Sequence, residues 1–227
     1  MKVRKATAPG DIPLSVIKEF AQYLCIPLCD ILNTSIQSGQ WPKLYKTEAI
    51  TPVPKQYPPE TCDMLRPISI LYSFNKIMES LIGEMIVSDM KATFDVSQFG
   101  NQKKTSIQHY LIRMLHRVLT SLDRNSRGEI NAVLLMCIDW RQAFSRQCHF
   151  LGIQSFITNG VRPSLIPVLI GYFEDRQMFV RWHGKQSQPR KLPGSGPMGA
   201  TLGILECLSQ TVYQLKTYTN TLMTYLH

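Results

Sequence analysis

What this 227-residue chain lacks narrows its chemistry before any motif is read. No apolar run approaches the roughly 20 residues that a membrane-spanning helix requires. The opening MKVRKATAPGDIP is basic and carries prolines, without the apolar centre of a secretory signal. Neither a membrane span nor secretion is expected, and an intracellular location (cytoplasm or nucleus) follows. There is no internal repeat and no low-complexity segment. The six cysteines (Cys25, Cys29, Cys62, Cys137, Cys148 and Cys207) are scattered, mostly inside apolar runs. Cys25 and Cys29 lie one helical turn apart, but no second pair at metal-ligand spacing accompanies them, so all six read as reduced core thiols. Acidic residues are also scarce, 16 against 25 Lys and Arg, and none follows Glu206. The resulting net charge of +9 fits a polyanionic partner, and equally a solvated basic face.

At 44% hydrophobic residues the chain can bury one large core or two small ones. After the loop KATAPGDIP, the stretch LSVIKEFAQYLCIPLCDILNTSIQSG carries apolar residues at helical spacing and predicts two helices broken near Pro27. The five prolines of WPKLYKTEAITPVPKQYPPET exclude a helix and suit a hairpin-like lobe. LRPISILYSFNKIMESLIGEMIVSDM begins extended and turns helical after Ser73, and SIQHYLIRMLHRVLTSLD from Ser106 is amphipathic. The polar loop Asp123 to Glu129 is the expected internal boundary, dividing residues 1–128 from 129–227.

Beyond it, AVLLMCID predicts a strand buried on both faces that ends on Asp139. An acid there can cap the helix that follows or, held on a rigid strand end, ligate a hard cation. WRQAFSRQCHFLGIQSFITNG reads as a helix closed by Gly160, and Pro163 restarts another. RQMFVRWHGKQSQPRKLP predicts a hairpin turning at His183 and Gly184, displaying Arg176, Arg181, Lys185, Arg190 and Lys191. A loop rich in glycine and proline, PGSGPMGATLG, then opens a helical tail.

Five of these stretches, in one order, resemble the reverse transcriptases of non-LTR retrotransposons. KATAPGDIP resembles their opening motif, VPKQYPPETCDMLRPISILYSFNKIMES their fingers motif and VSQFGNQKKTS their template-side segment. IDWRQAF resembles the first palm motif, and LPGSGPMGATLG the glycine-rich motif. The resemblance implies an α+β fold: a polymerase fingers lobe of helices plus a short sheet, then a partial palm of β-sheet with packed helices. It implies an RNA-directed DNA polymerase with RNA or DNA template-primer and nucleoside triphosphate as partners and Mg2+ as cofactor.

By that resemblance Asp139 is the metal-ligating catalytic carboxylate, and Lys55 and Arg66 clasp the triphosphate, although a solvated surface pair is the plainer reading. Phe144 lies under the incoming sugar, or is simply core. Gly196, Pro197 and Gly199 form the loop on which base and nucleotide rest, or an ordinary turn before a helix. Gln98, Phe99, Gly100, Lys103 and Lys104 contact template, or form a charged loop.

The departures lie in the palm. No aromatic-x-Asp-Asp hairpin follows the glycine-rich loop, Ser145 stands where the family has Asp, and Met198 where it has Gln. Two-ion phosphoryl transfer needs carboxylates that bridge the ions, and Asp139 alone is present. The expectation is a truncated or decayed copy without polymerase activity, its metal site incomplete. The alternative is a basic nucleic-acid-binding module that is not an enzyme.

Overall fold

The computed structural model describes residues 8–94, 98–100, 104–123, 132–135, 137, 147–192, 194, 197 and 199–209. They fall into two compact units, one drawn from residues 1–93 and 142–227, the other from residues 94–141. Helices and a mixed sheet are both present, the α+β class expected.

The larger unit begins with α1 (Leu14–Glu19) and α2 (Ala21–Ser38). Two helices were expected, but the break falls at Phe20, and α2 runs through Pro27. Proline removes one helical N–H, and the carbonyl it orphans belongs to Tyr23, on a face exposed enough for water to serve as partner. Gly39 ends α2 in the left-handed conformation at φ 66°.

A turn at Lys43–Lys46 feeds β1 (Thr47–Pro54), which pairs antiparallel with β2 (Leu65–Ile70), the hairpin that the proline pattern predicts. α3 (Ser73–Asp89) follows, and its Met78, Ile82 and Ile86, spaced four apart, have no measurable exposure. Such burial is worth about 1.5–3 kcal/mol per side chain. Its first turn is capped from a distance, because Asp11 Oδ2 accepts from both the backbone N–H of Ser73 (2.7 Å) and its hydroxyl (2.8 Å).

α5 (His149–Thr158) and α6 (Ile166–Phe173) lie either side of Gly160 and Pro163, as expected. β3 (Gln177–Trp182) then joins β1 in parallel and turns at His183 and Gly184 (φ 46° and 76°) into β4 (Lys185–Gln186), while β5 (Arg190–Lys191) flanks the start of β3. The sheet order is β2-β1-β3-β4, with β5 also on β3. Residues 201–209 form a further helix, α7.

In the smaller unit α4 (Ile107–Asp123) is the expected amphipathic helix, with no buried residue. The strand expected over AVLLMCID is not found in its described part. Residues 132–135 and Cys137 are irregular and exposed, Leu134 at 92%. A strand buried on both faces needs ladder partners on its edges, and the described residues of this unit contain no other strand. None of the cysteines is in a disulfide, but five are exposed and Cys207 half-buried, so they are not the core thiols expected. They occupy exposed or half-buried positions in α2, α7, turns and loops, whereas the core is filled by Leu, Ile, Met and aromatic residues.

Candidate functional site

Lys55 and Arg66 are brought together by the β1–β2 hairpin. Arg66 stands opposite Val53, and Lys55 is two residues beyond Val53, so period-two alternation puts both cations on one face. Both are exposed. The loop between the strands is closed by Lys55, whose backbone N–H reaches Met64 O (2.8 Å) and whose Nζ reaches Asp63 O (2.7 Å).

The described part of the glycine-rich loop leads directly into α7. Pro197 is buried, its carbonyl accepts from Ala200 N–H (3.0 Å), and Gly199 has φ 92°, which a side chain would strain. The first N–H of α7, from Thr201, donates to Glu79 Oε2 at 3.0 Å. Gly83, one turn further along α3, lets the two helices approach, since an added Cβ would meet the Thr201 methyl at 2.8 Å.

Glu79 is the centre of a buried network that sequence reasoning missed. Its Oε1 accepts from Asn75 Nδ2 (2.6 Å) and the Tyr172 hydroxyl (2.9 Å), while Asn75 Oδ1 accepts from Trp41 Nε1 (2.8 Å). Burial raises the Glu79 pKa, opposed by the Tyr172 hydrogen bond, the positive field of Arg176 and the bonds from Thr201 and Asn75. The same network raises the Tyr172 pKa, first through burial and then through the Glu79 charge.

Arg176, expected on the basic hairpin, is instead 1% exposed. Its guanidinium lies 4.5 Å from the Tyr172 ring centre and donates to Tyr172 O at 3.3 Å. The correction has an electrostatic cause, because Glu48 and Glu79 are both buried and a buried cation between helix and sheet offsets their charge. Glu48 too is raised by burial, with the Arg176 charge and a bond from Ser69 opposing. The sequence signal for all this is faint: single acids inside otherwise apolar segments.

Glu206, the last acid of the chain, is also inside. It has no exposed side-chain surface, and its Oε1 lies 2.9 Å from His149 Nδ1. His149 in turn stacks on Phe173 at 4.5 Å.

In the smaller unit Gln98 Nε2 donates to Gly100 O (3.0 Å), and Thr105 Oγ1 to Phe99 O (2.6 Å). The Phe99 ring lies 6.0 Å from Tyr110, with the Arg113 guanidinium 5.8 Å from its centre. These residues line a cavity of about 220 Å³ with Met114, Arg117, Val118 and Leu135. Aromatic faces beside guanidinium groups suit an unstacked base and its phosphate. Lys104 is exposed at φ 65°.

Asp139, Phe144, Gly196 and Lys103 lie outside the described residues, as does the loop expected as a boundary from residue 124 on. Among the described residues no group of three or more His, Cys, Asp or Glu side chains could hold a metal ion. No described helix is long and apolar enough to cross a membrane.

A basic hairpin feeding a buried helix, with a glycine-rich loop anchored on that helix, is a mixed α and β arrangement consistent with a partial polymerase-like domain. No family model matches the chain. It is 30% identical over 207 residues to a probable RNA-directed DNA polymerase from transposon X-element of Drosophila melanogaster, covering 88% of this chain and 22% of that protein. It is 28% identical over 208 residues to the probable RNA-directed DNA polymerase from transposon BS of the same species, covering 90% of this chain and 22% of that protein. The RNA-directed DNA polymerase from mobile element jockey of Drosophila funebris is 27% identical over 206 residues, with 89% and 22% covered. The chain is therefore a reverse-transcriptase-like domain of mobile-element type, homologous to non-LTR RNA-directed DNA polymerases. It spans about a fifth of the length of the curated relatives it matches, 22% in each of these three.

Proposed function

We propose that this 227-residue chain binds template and primer as a reverse-transcriptase-like domain but does not itself join nucleotides. The observation that carries the reading is the fate of its last acid. Glu206 follows the glycine-rich loop, yet it is sealed in the core against His149 rather than presented to a ligand. Asp139 is the one acid at a matching palm position, and Ser145 offers a hydroxyl that cannot replace a carboxylate charge.

Polymerases of this class use divalent metal, which supplies the charge that holds the triphosphate and activates the primer hydroxyl. Among the described residues no cluster of side chains could hold such ions, and no step is assigned to them. What remains is binding. Lys55 and Arg66, displayed together, meet phosphates. Gly196, Pro197 and Gly199 support a base and nucleotide, with Phe144 beneath the sugar. Gln98, Phe99 and Gly100 contact template, with Lys103 and Lys104 neutralising its phosphates. Contacts of this kind position nucleic acid without reading its sequence.

Fluorescence anisotropy of a labelled primer–template against the purified chain tests this. Affinity falls steeply as salt rises, with little dependence on sequence, and a Lys55→Gln/Arg66→Gln double variant lowers the log–log slope by about 2. Affinity that stays flat from low to moderate salt overturns the reading.

A further inference from the structure

A second cluster of cations lies at the opposite end of β1 from Lys55. About eight residues at roughly 3.3 Å each separate Thr47 from Lys55, some 26 Å of strand. At the Thr47 end is a cavity of about 350 Å³ lined by Lys43, Lys46, Thr47, Asp175, Gln177 and Lys191. Its floor is set by register. Thr47 stands opposite Gln177 and Gln177 opposite Lys191, so three adjacent strands contribute one row of side chains on one face. Lys43 and Lys46 approach from the turn that enters β1.

We propose that this cavity is a second phosphodiester-backbone site, separate from the residues assigned to the polymerase cleft. Its donors are three ammonium groups, a hydroxyl and a side-chain amide, a set built for oxyanions. Only one carboxylate faces them. Asp175 binds Lys191 Nζ at 2.9 Å, and its pKa is lowered chiefly by that bond and also by Lys46, a sign of the positive field in the cavity. Lys43 and Lys46 form no salt bridge among the described residues, leaving a net charge near +2 for a ligand.

The row of three strands is about 10 Å wide. Successive phosphates of a nucleic-acid strand lie roughly twice the 3.4 Å axial rise apart, so the row can meet about two of them. The cationic surface also continues: Arg181 is four residues along β3 from Gln177, on the same face, and exposed. A track of spaced cations fits a polymer of phosphates better than one free ion.

This inference rests on the chain being a nucleic-acid binder, and its test separates the two. Anisotropy with a labelled oligonucleotide is measured for the wild type, for Lys43→Gln/Lys46→Gln and for Asp175→Asn, with thermal midpoints to confirm folding. The lysine pair is expected to weaken binding several-fold and reduce the salt slope by about 2. Asp175→Asn, which removes the competing carboxylate, is expected to tighten binding several-fold. If the wild type binds but neither variant changes affinity or slope, this site is overturned while the binding reading stands. If the wild type does not bind, both fall. Equal competition by polyglutamate of matched length, or by inorganic phosphate at matched ionic strength, overturns the assignment to a phosphodiester strand.

Discussion

A carboxylate sealed from water at Glu79 persists because three donors converge on it, Asn75, Tyr172 and the backbone N–H of Thr201, and the charge of Arg176 favours it. Glu79→Gln replaces one acceptor oxygen by an N–H. Either amide orientation sets a donor against Thr201 N–H or against Asn75 Nδ2, and one buried donor is left unmade. Such a loss destabilises by about 1–3 kcal/mol, measurable as a lower urea midpoint. The pH dependence has a definite sign. Because burial raises the folded pKa of Glu79 above its unfolded value, the ionised form opposes folding at neutral pH, and that opposition lifts as pH falls through the folded pKa toward the unfolded one. The stability gap between wild type and Glu79→Gln therefore widens on acidification from neutral pH toward the ordinary carboxylate range. A gap that narrows would mean that the pKa is not raised.

Between elements, α6 approaches the end of α2 closely. A Cβ on Gly171 would collide with the carbonyl oxygen of Gly39, a backbone atom that cannot swing aside. Gly171→Ala should cost about 1–3 kcal/mol as an overpacking substitution, seen as a lower thermal midpoint; an unchanged midpoint would show that the crossing has slack. The β1–β2 hairpin, the His183 and Gly184 turn and the helices on either side of Gly160 were legible in the sequence because proline, glycine and periodicity act locally. The continuity of α2 through Pro27 was not, since it depends on Tyr23 facing water. Nor was the inward turn of Arg176, which answers charges on Glu48 and Glu79 far away in sequence. The described residues 132–135 are exposed and irregular for a related reason: an apolar string is a strand only where a ladder partner receives it. Of the candidate site, Lys55 and Arg66 could be named from the resemblance, but their common face follows only from the pairing of Val53 with Arg66. The burial of Glu206 against His149 had no local signal.

At the scale of the whole molecule, the proposed function pairs cationic surfaces for polyanions with a palm segment in which Asp139 is the one acid at a matching position. Losing a preorganised electrostatic group commonly costs a few kcal/mol of transition-state stabilisation, and here Ser145 stands at a position where the resemblance places an Asp. On the proposed function, binding and turnover are separable in this chain. The measurement that tests this most directly is primer extension by the purified 227-residue chain on a primer–template it has been shown to bind, with magnesium and then manganese, beside an Asp139→Ala control. The account predicts no template-directed product above that control with either metal. Extension that exceeds the control would show that other groups complete the site, and would contradict it.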